Sequence, residues 1–492
     1  MGGEKESGYA RVTREQIHQA FRLGFDAVAS IIEYQQDLID NLSQRIKTLE
    51  AQGRQNSQNS SKPPSSDGIG RRPYPPRQKS GKKPGGQPGH EGSTLQMVAH
   101  PDHVVVHPVT HCGKCGCSLK KKAHAVIRRQ VFDLPVIQVE VEEHQMEVKD
   151  CPHCGATTVG ECPAHVSQPV QYGSRIQAME VYLRNFALVP FARTAQIFKD
   201  LFGVSLSAGT LAKTEQKASG ALVDVVEEIK QRILAEKVRH LDETGFSFNG
   251  KLAWMHGAST GEYSYFYPHR ARGKEGIREM GILGQGVASV AVHDNWAAYA
   301  AGDCLHALCN AHQGRELKFV KEESLQPWAG KMLDLLLEGK KEVQQAREAG
   351  RKRLSPQRLQ WYRSRYEKII REGLRANPPP VRGEESGRRG RIKKSKAANL
   401  LERLSKRRDE TLRYLKDFSV PYDNNQIERD LRMLKVQQKI SGTFRSWDGA
   451  VAFCRIRSFI STMQKQGASV FDGLCRIFDA RPLTLSRCLR SA

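Results

Sequence analysis

The sequence predicts a multidomain α+β fold, on three observations. Residues near 12–52 carry a helical heptad repeat. Two C-x-x-C pairs, Cys112/Cys115 and Cys151/Cys154, flank a segment with strand-type alternation. From about residue 236, strand patterns give way to a long basic helical stretch and then to apolar helices. At 492 residues the chain is too long for one ordinary core.

Charge narrows the partners. The chain has 77 Lys and Arg against 53 Asp and Glu, a formal net charge of +24. Such a balance fits a polyanion, because Lys and Arg gain affinity by releasing counterions from phosphates. No apolar run reaches bilayer length. The N-terminal MGGEKESGYARVTREQ lacks the apolar core of a signal peptide, so a cytoplasmic protein with reduced thiols is expected. In that setting paired C-x-x-C motifs are metal ligands before they are disulfides.

Each segment follows in order. In the helical segment 1–52 the heptad positions are Val28, Ile32, Gln35, Ile39, Leu42, Ile46 and Leu49. Ile at a and mostly Leu or Val at d favours a parallel coiled-coil dimer, although the same stripe would also pack on the chain itself. Residues 53–95 are rich in Pro, Gly, Ser, Lys and Arg. They form a basic linker with too little apolar surface to fold alone, and Lys82 and Lys83 suit a DNA backbone. Residues 96–170 predict a zinc ribbon. Cys112, Cys115, Cys151 and Cys154 are the ligands, and AVIRRQVFDLPVIQVEVEEHQMEVKD supplies two or three strands between them. Cys117, His111, His153, Cys162 and His165 are alternative donors. Four protein ligands leave no open position, so this Zn2+ would be structural.

Residues 171–235 are helical. A first helix near Ala192–Leu201, a turn at Gly203 and a second helix after the cap Ser207 fit either a helix-turn-helix or a plain helical hairpin. Arg193, Thr210 and Lys213 are the candidate DNA contacts. From 236 to 317, KVRHLDETGFSF, KLAWMHGAS, EYSYFYPH and GVASVAVHD are strands, with a short helix at IREMGIL. Residues 318–420 are basic and helical, 421–470 return a turn and helix, and 471–492 form a C-terminal helix and tail.

Three acids could hold hard divalent cations, which prefer carboxylate oxygens. Asp242 sits in the first strand and Asp294 ends a buried one. Glu428 lies one turn into a helix after Asp423 and Asn424, where Asp423 and Gln426 have capping-box spacing. Asn424, Glu428 and Arg432 share a helix face. Each acid also has an ordinary structural explanation: a solvated strand residue, a helix cap, a surface ion pair.

The stretches NSSKPPSSDG, KKPGGQPGHEGSTL, the two knuckles, LDETGF, HDNWAAY, HALCNAHQGREL, YDNNQIERDLR and KISGTFRS occur in this order. With them the chain resembles the insertion-sequence-66 family of bacterial transposases over nearly all its length. The resemblance implies a ribonuclease-H-like α/β catalytic core with an α-helical insertion at 318–420 and a DDE triad of Asp242, Asp294 and Glu428. It further implies two Mg2+ (or Mn2+) ions, transposon-end and target double-stranded DNA as partners, a nucleoid-associated location and small accessory proteins encoded by the element. Asn424 and Arg432 would support the ligands or touch phosphate. Ile427 stands where a smaller residue is expected. Cys309-x-x-His312 resembles an element that follows the second acid in some DDE transposases. With no second pair in sight, a structural or DNA-positioning role is expected for it. Rival readings are a non-catalytic end-binding protein or repressor and a structure-specific nuclease.

Overall fold

The computed structural model describes residues 12–53, 55–56, 92, 94–283, 289–379, 394–479 and 484–489. Lys82, Lys83 and nearly all of the basic linker lie outside them. The chain divides into two compact units. One comprises 1–75, 225–438 and 443–445, and the other 76–224, 439–442 and 446–492.

The first unit opens with two helices in place of the one expected. Helix α1 (Arg14–Leu23) starts at a Thr13–Gln16 capping box and stops at Gly24, whose φ of 105° an L side chain rarely adopts. Helix α2 (Phe25–Gly53) holds every heptad position. Ile32, Ile39, Leu42, Ile46 and Leu49 are exposed along it, while Val28 and Gln35 are half-buried.

The centre of this unit is a five-stranded mixed sheet of order β5-β4-β3-β6-β7. Strands β3 (Val238–Phe248), β4 (Lys251–Ser259) and β5 (Ser264–His269) form an antiparallel meander. Helix α7 (Lys274–Met280) leads towards β6 (Val290–His293), which pairs parallel to β3, and β7 (Leu305–Leu308) pairs parallel to β6. β6 is buried at all four positions, which is why it reads as a continuous apolar run. A mixed sheet flanked by helices is consistent with a ribonuclease-H-like core.

Between β7 and the last helix of this unit stand α8 (Asn310–Glu323), α9 (Pro327–Glu348), α10 (Pro356–Ala376), α11 (Lys396–Lys406), α12 (Arg408–Thr411) and α13 (Arg413–Lys416). They enclose a core of their own around Trp328, Leu336, Tyr362, Tyr366 and Leu401. Helix α14 (Asn425–Ser441) then crosses the sheet at Gly257. A Cβ at Gly257 would lie 2.9 Å from Ile427 Cδ1 and 3.2 Å from Leu431 Cδ2. The missing side chain of Gly257 therefore makes room for Ile427, the residue that looks too large in sequence.

The second unit holds the cysteine region and a helical cluster. Strands β1 (Val148–Asp150) and β2 (Thr157–Val159) pair antiparallel around the second knuckle. Of the two or three strands expected between the knuckles only β1 forms, at the end of that stretch: residues 125–147 carry no strand. Val126, Ile127, Val131 and Val141 are exposed there, and alternation specifies a strand only where one face is buried against a partner. Helices α3 (Ser174–Val181), α4 (Phe191–Phe202), α5 (Ala208–Ala221), α15 (Trp447–Lys465) and α16 (Val470–Phe478) make up the cluster, with α15 on α5 and α16 on α3. The remaining helices are α6 (Val223–Ala235), which leads to β3, and α17 (Leu485–Leu489). The turn expected at Gly203 is present in left-handed geometry, and Ser207 caps α5 by accepting from Thr210 N at 3.0 Å. Phe198, Leu206 and Leu211 close the corner between α4 and α5.

Filling the gap at Gly257 tests how tightly α14 is seated. Gly257→Ala should lower stability by about 1–3 kcal/mol, the usual cost of overpacking. Adding Ile427→Val should return part of it. Guanidinium denaturation of both variants measures the effect, and an unchanged midpoint for Gly257→Ala would contradict the close approach.

Candidate active site

The sheet register builds the site. The β3–β6 pairing ends at His240 opposite Val292. Two residues further on, Asp242 stands level with Asp294. The β6–β7 pairing ends at His293 opposite Leu308, so the next step sets Asp294 level with Cys309. Three chemically active residues thus fall in one row just beyond the last parallel-paired residues of β3, β6 and β7, the C-terminal edge of the parallel ladder, where open α/β sheets place their ligands.

Asn424 fixes the fourth element. It is buried, and its Nδ2 donates to Leu241 O at 2.8 Å while its Oδ1 lies 2.8 Å from His240 Nδ1. Its backbone N–H donates to Cys309 Sγ at 3.2 Å. These bonds set the start of α14 against the ends of β3 and β7, and Glu428 follows one turn later. The helix therefore begins at Asn424, and the expected Asp423–Gln426 capping box does not form. Gln426 Nε2 instead donates to Thr260 O, and Asp423 accepts from Asn425 N at 3.3 Å. Arg432 is exposed on the same face and favours the charged form of Glu428.

The three acids sense one another. Burial first, then Glu243, Asp294 and Glu428, hold the Asp242 carboxyl well above the usual range. Burial also raises Asp294, against the nearby guanidiniums of Arg272 and Arg403. It raises Glu428 too, opposed by Arg315 and Arg432. Asp294 Oδ1 accepts from Trp296 N at 2.9 Å, which orients the carboxylate. Crowded, half-buried carboxylates are the donor type that hard divalent cations take, and among the described residues the three carboxylates of the triad stand more than 4.8 Å apart as a set.

Asp242 and Glu243 occupy opposite faces of β3. Asp242 lies opposite Gly257 and so faces α14. Glu243 is engaged on the other face, accepting from Arg272 Nε at 2.9 Å and Nη2 at 2.6 Å and from the Tyr299 hydroxyl. Arg272 also stacks against Trp254 and Trp296, at 4.8 and 4.5 Å from the ring centres. Sequence reasoning missed Arg272, Tyr299, Arg315 and Arg403, and left Glu243, inside LDETGF, without a role. Tyr299 and Arg315 also lay within conspicuous motifs, and nothing local announced Arg272 or Arg403.

Glu428 also gathers Cys309 and His312. His312 Nδ1 lies 3.3 Å from Cys309 Sγ and 3.6 Å from Glu428 Oε1. Among the described residues this is where three metal-type donors converge within 4.8 Å of one another. Burial pushes the Cys309 thiol up to about 12 and His312 down to about 4, so both are neutral at neutral pH.

In the second unit each C-x-x-C forms a tight knuckle. Gly116 N donates to Cys112 O at 2.9 Å and Gly155 N to Cys151 O at 2.8 Å. Backbone N–H groups of Cys115 and Lys114 turn onto the Cys112 thiol and lower its pKa, as those of Cys154 and His153 do for Cys151. Thiolate-stabilising knuckles suit Zn2+. Among the described residues no three of the four sulfurs Cys112, Cys115, Cys151 and Cys154 lie within 4.8 Å of one another, so the knuckles stand as two half-sites. In the α4–α5 corner Arg193 and Lys213 are exposed, and the Thr210 hydroxyl is 2.9 Å from Ser207 Oγ.

Comparison with known families agrees with this organisation. A profile described as the transposase IS66 family matches residues 169–452, more than half of the chain. One described as the zinc-finger binding domain of transposase IS66 matches 110–155, and a family of unknown function matches 10–96. The uncharacterized protein y4jO of Sinorhizobium fredii is 29% identical over 203 residues, which cover 40% of this chain and 54% of that relative. The chain thus spans about half the length of this curated relative. With a DDE-type domain spanning the sheet, its acids and α14, preceded by the family's own zinc finger, the chain belongs to the IS66 family of transposases.

Proposed function

We propose that this protein cleaves DNA at the ends of an insertion sequence and joins the freed 3′-hydroxyl to target DNA, with Asp242, Asp294 and Glu428 as the metal ligands. The observation that carries the reading is the electrostatic coupling of these three carboxylates, from β3, the end of β6 and α14: Asp294 and Glu428 both raise Asp242, and Asp294 raises Glu428. When bound, two Mg2+ or Mn2+ ions supply Lewis acidity to the attacking and leaving oxygens of an in-line displacement. The chain's own residues hold and orient. Trp296 N–H fixes the Asp294 carboxylate, and Asn424 sets the distance of Glu428 from the strand ends. Asp242 is preferred to Glu243 because Glu243 is already occupied by Arg272 and Tyr299. Arg315, 4.0 Å from Glu428 at the outer limit of an ion pair, offers a cationic contact for a DNA phosphate.

Around this centre, the core is assigned as ribonuclease-H-like and residues 318–420, from within α8 to beyond α13, as its helical insertion. The α4–α5 corner is assigned as a helix-turn-helix that places Arg193, Thr210 and Lys213 on double-stranded DNA. Structural Zn2+ is assigned to Cys112, Cys115, Cys151 and Cys154, which requires the two knuckles to close on one ion. The exposed Ile32, Ile39, Leu42, Ile46 and Leu49 of α2 suit a parallel homodimer.

Asp294→Asn, Asp242→Asn and Glu428→Gln should each lower Mg2+-dependent end cleavage by at least about 100-fold, the scale on which loss of one electrostatic stabiliser is felt. A labelled transposon-end duplex reads cleavage, and pre-cleaved ends with a target plasmid read joining. Undiminished cleavage by Asp294→Asn would sink the assignment. Cleavage without joining would identify a nuclease, and specific binding with neither would identify an end-binding protein.

The same acids set a pH dependence. Their folded pKa values lie above the unfolded ones of about 4. Stability gained through their protonation is thus fully present below that pH and lost as pH rises through the raised values. Millimolar Mg2+ should therefore raise the melting temperature of the wild type at neutral pH and have little effect near pH 4–5. Asp294→Asn should melt about 2–4 °C higher than the wild type without metal and gain less from Mg2+. Calorimetry decides it, and equal Mg2+ stabilisation of both proteins would remove Asp294 from the metal site.

A further inference from the structure

The Cys309–His312–Glu428 cluster has features that strand cleavage does not need. Hard cations such as Mg2+ take oxygen ligands, whereas thiolate and imidazole together select softer ions such as Zn2+. The donors come from two segments over a hundred residues apart, so helical spacing alone does not explain their meeting. Their separations of 3.3 and 3.6 Å around His312 Nδ1 match the roughly 3.5 Å edge of a tetrahedron whose metal–ligand bonds are about 2.0–2.3 Å. Glu428 Oε1 is buried and receives no hydrogen bond among the described residues, although its neighbours crowd it. Arg315 Nη2, 4.0 Å away, is too distant to donate to it, which leaves room for a cation shared with the imidazole.

Two contacts would support a thiolate once a cation displaces the proton that burial otherwise keeps on the sulfur. Cys309 is the N-cap of α8, a 14-residue helix whose N-terminal end is positive. The backbone N–H of Asn424 already donates to its sulfur, the kind of outer contact that supports a metal-bound thiolate. Three protein donors leave a fourth tetrahedral position for water.

We propose that Cys309, His312 and Glu428 bind a zinc-like divalent cation and that this ion competes with strand cleavage for Glu428. Binding converts the Cys309 thiol to a metal thiolate and releases one proton to solvent. It also draws the Glu428 carboxylate into a soft-ligand site, away from the pair of hard cations. The competition rests on the triad assignment, whereas the binding site does not.

The test uses the full-length chain with Zn2+ and with Co2+ as an optical probe. Wild type, Cys309→Ser and His312→Gln are equilibrated by dialysis against buffered Zn2+, and bound zinc is counted per chain. The wild type should hold one ion more than either variant, the zinc-finger ion serving as internal standard in all three. Titration with Co2+ should show a sulfur-to-cobalt charge-transfer component that Cys309→Ser lacks. Equal zinc content in the three proteins would overturn the site. His312→Gln carries the comparison where the more buried Cys309 disturbs folding. In the second arm, Zn2+ is titrated into Mg2+-dependent end cleavage, each protein compared with its own zinc-free rate. Half-inhibition should need about tenfold more Zn2+ in His312→Gln, the equivalent of 1.4 kcal/mol. Equal sensitivity would overturn the competition while leaving the binding site standing. A failure of cleavage in every protein would strike the triad reading and leave the zinc count to decide this one.

Discussion

Asn424 is the constraint on which the site depends. Its side chain reaches two successive residues of β3, through Leu241 O and the His240 ring, while its backbone N–H meets Cys309 at the mouth of α8. A buried amide with partners left unpaired costs about 1–3 kcal/mol per group, so these bonds specify one register of α14 over the sheet. Gly257 and Ile427 then settle how closely the helix lies. The position of Glu428 is a consequence of both. A helix start that depended on local capping alone would fix neither its height above the strands nor its rotation.

That register assembles like charges at a cost the rest of the pocket offsets only in part. Asp242, Glu243, Asp294 and Glu428 are all shifted towards their protonated forms, with burial as the leading cause. The arginines are arranged to relieve some of this without cancelling it. Arg272 is committed to Glu243 and wedged against Trp254 and Trp296. Arg315 stays 4.0 Å from Glu428, at the outer limit of an ion pair. Full neutralisation by arginine would stabilise the fold and leave no demand for a cation. Incomplete neutralisation keeps the pocket electronegative, which is what a cation-dependent site requires.

Much of this was legible in the sequence wherever the deciding forces are local. The buried strand ending at Asp294, the left-handed turn at Gly203 and the cap at Ser207 follow from apolar runs, glycine and side-chain caps acting within a few residues. The failures share the opposite character. Residues 125–147 alternate like a strand, but no partner buries one of their faces. Asp423 and Gln426 have capping-box spacing, yet Thr260, some 166 positions away, takes the Gln426 amide. Cys309-x-x-His312 gave no hint of a third donor, because Glu428 arrives through a fold-level crossing. The single helix expected near residues 12–52 breaks at Gly24, where glycine's access to positive φ outweighed an otherwise continuous pattern.

The helices α8 to α13 are not an appendage of the sheet. They have their own core, so they could fold away from the sheet. Instead polar bonds anchor them to the ends of the strands. Asn310 Nδ2 donates to Thr411 O at 3.0 Å, which ties α8 to α12. Arg413 Nε donates to His306 O on β7 at 2.7 Å, and Arg407 Nη1 donates to Asn295 Oδ1, beside Asp294, at 2.6 Å. Arg403 of α11 then lies close enough to favour ionised Asp294 and lower the affinity of His312 for a proton. These helices therefore contribute to the electrostatics of the acids on either side of them in the chain. Any motion of α11 and α12 relative to β6 would change the charge balance at Asp294 and His312 together, which couples these two residues to a helix some hundred residues removed in sequence.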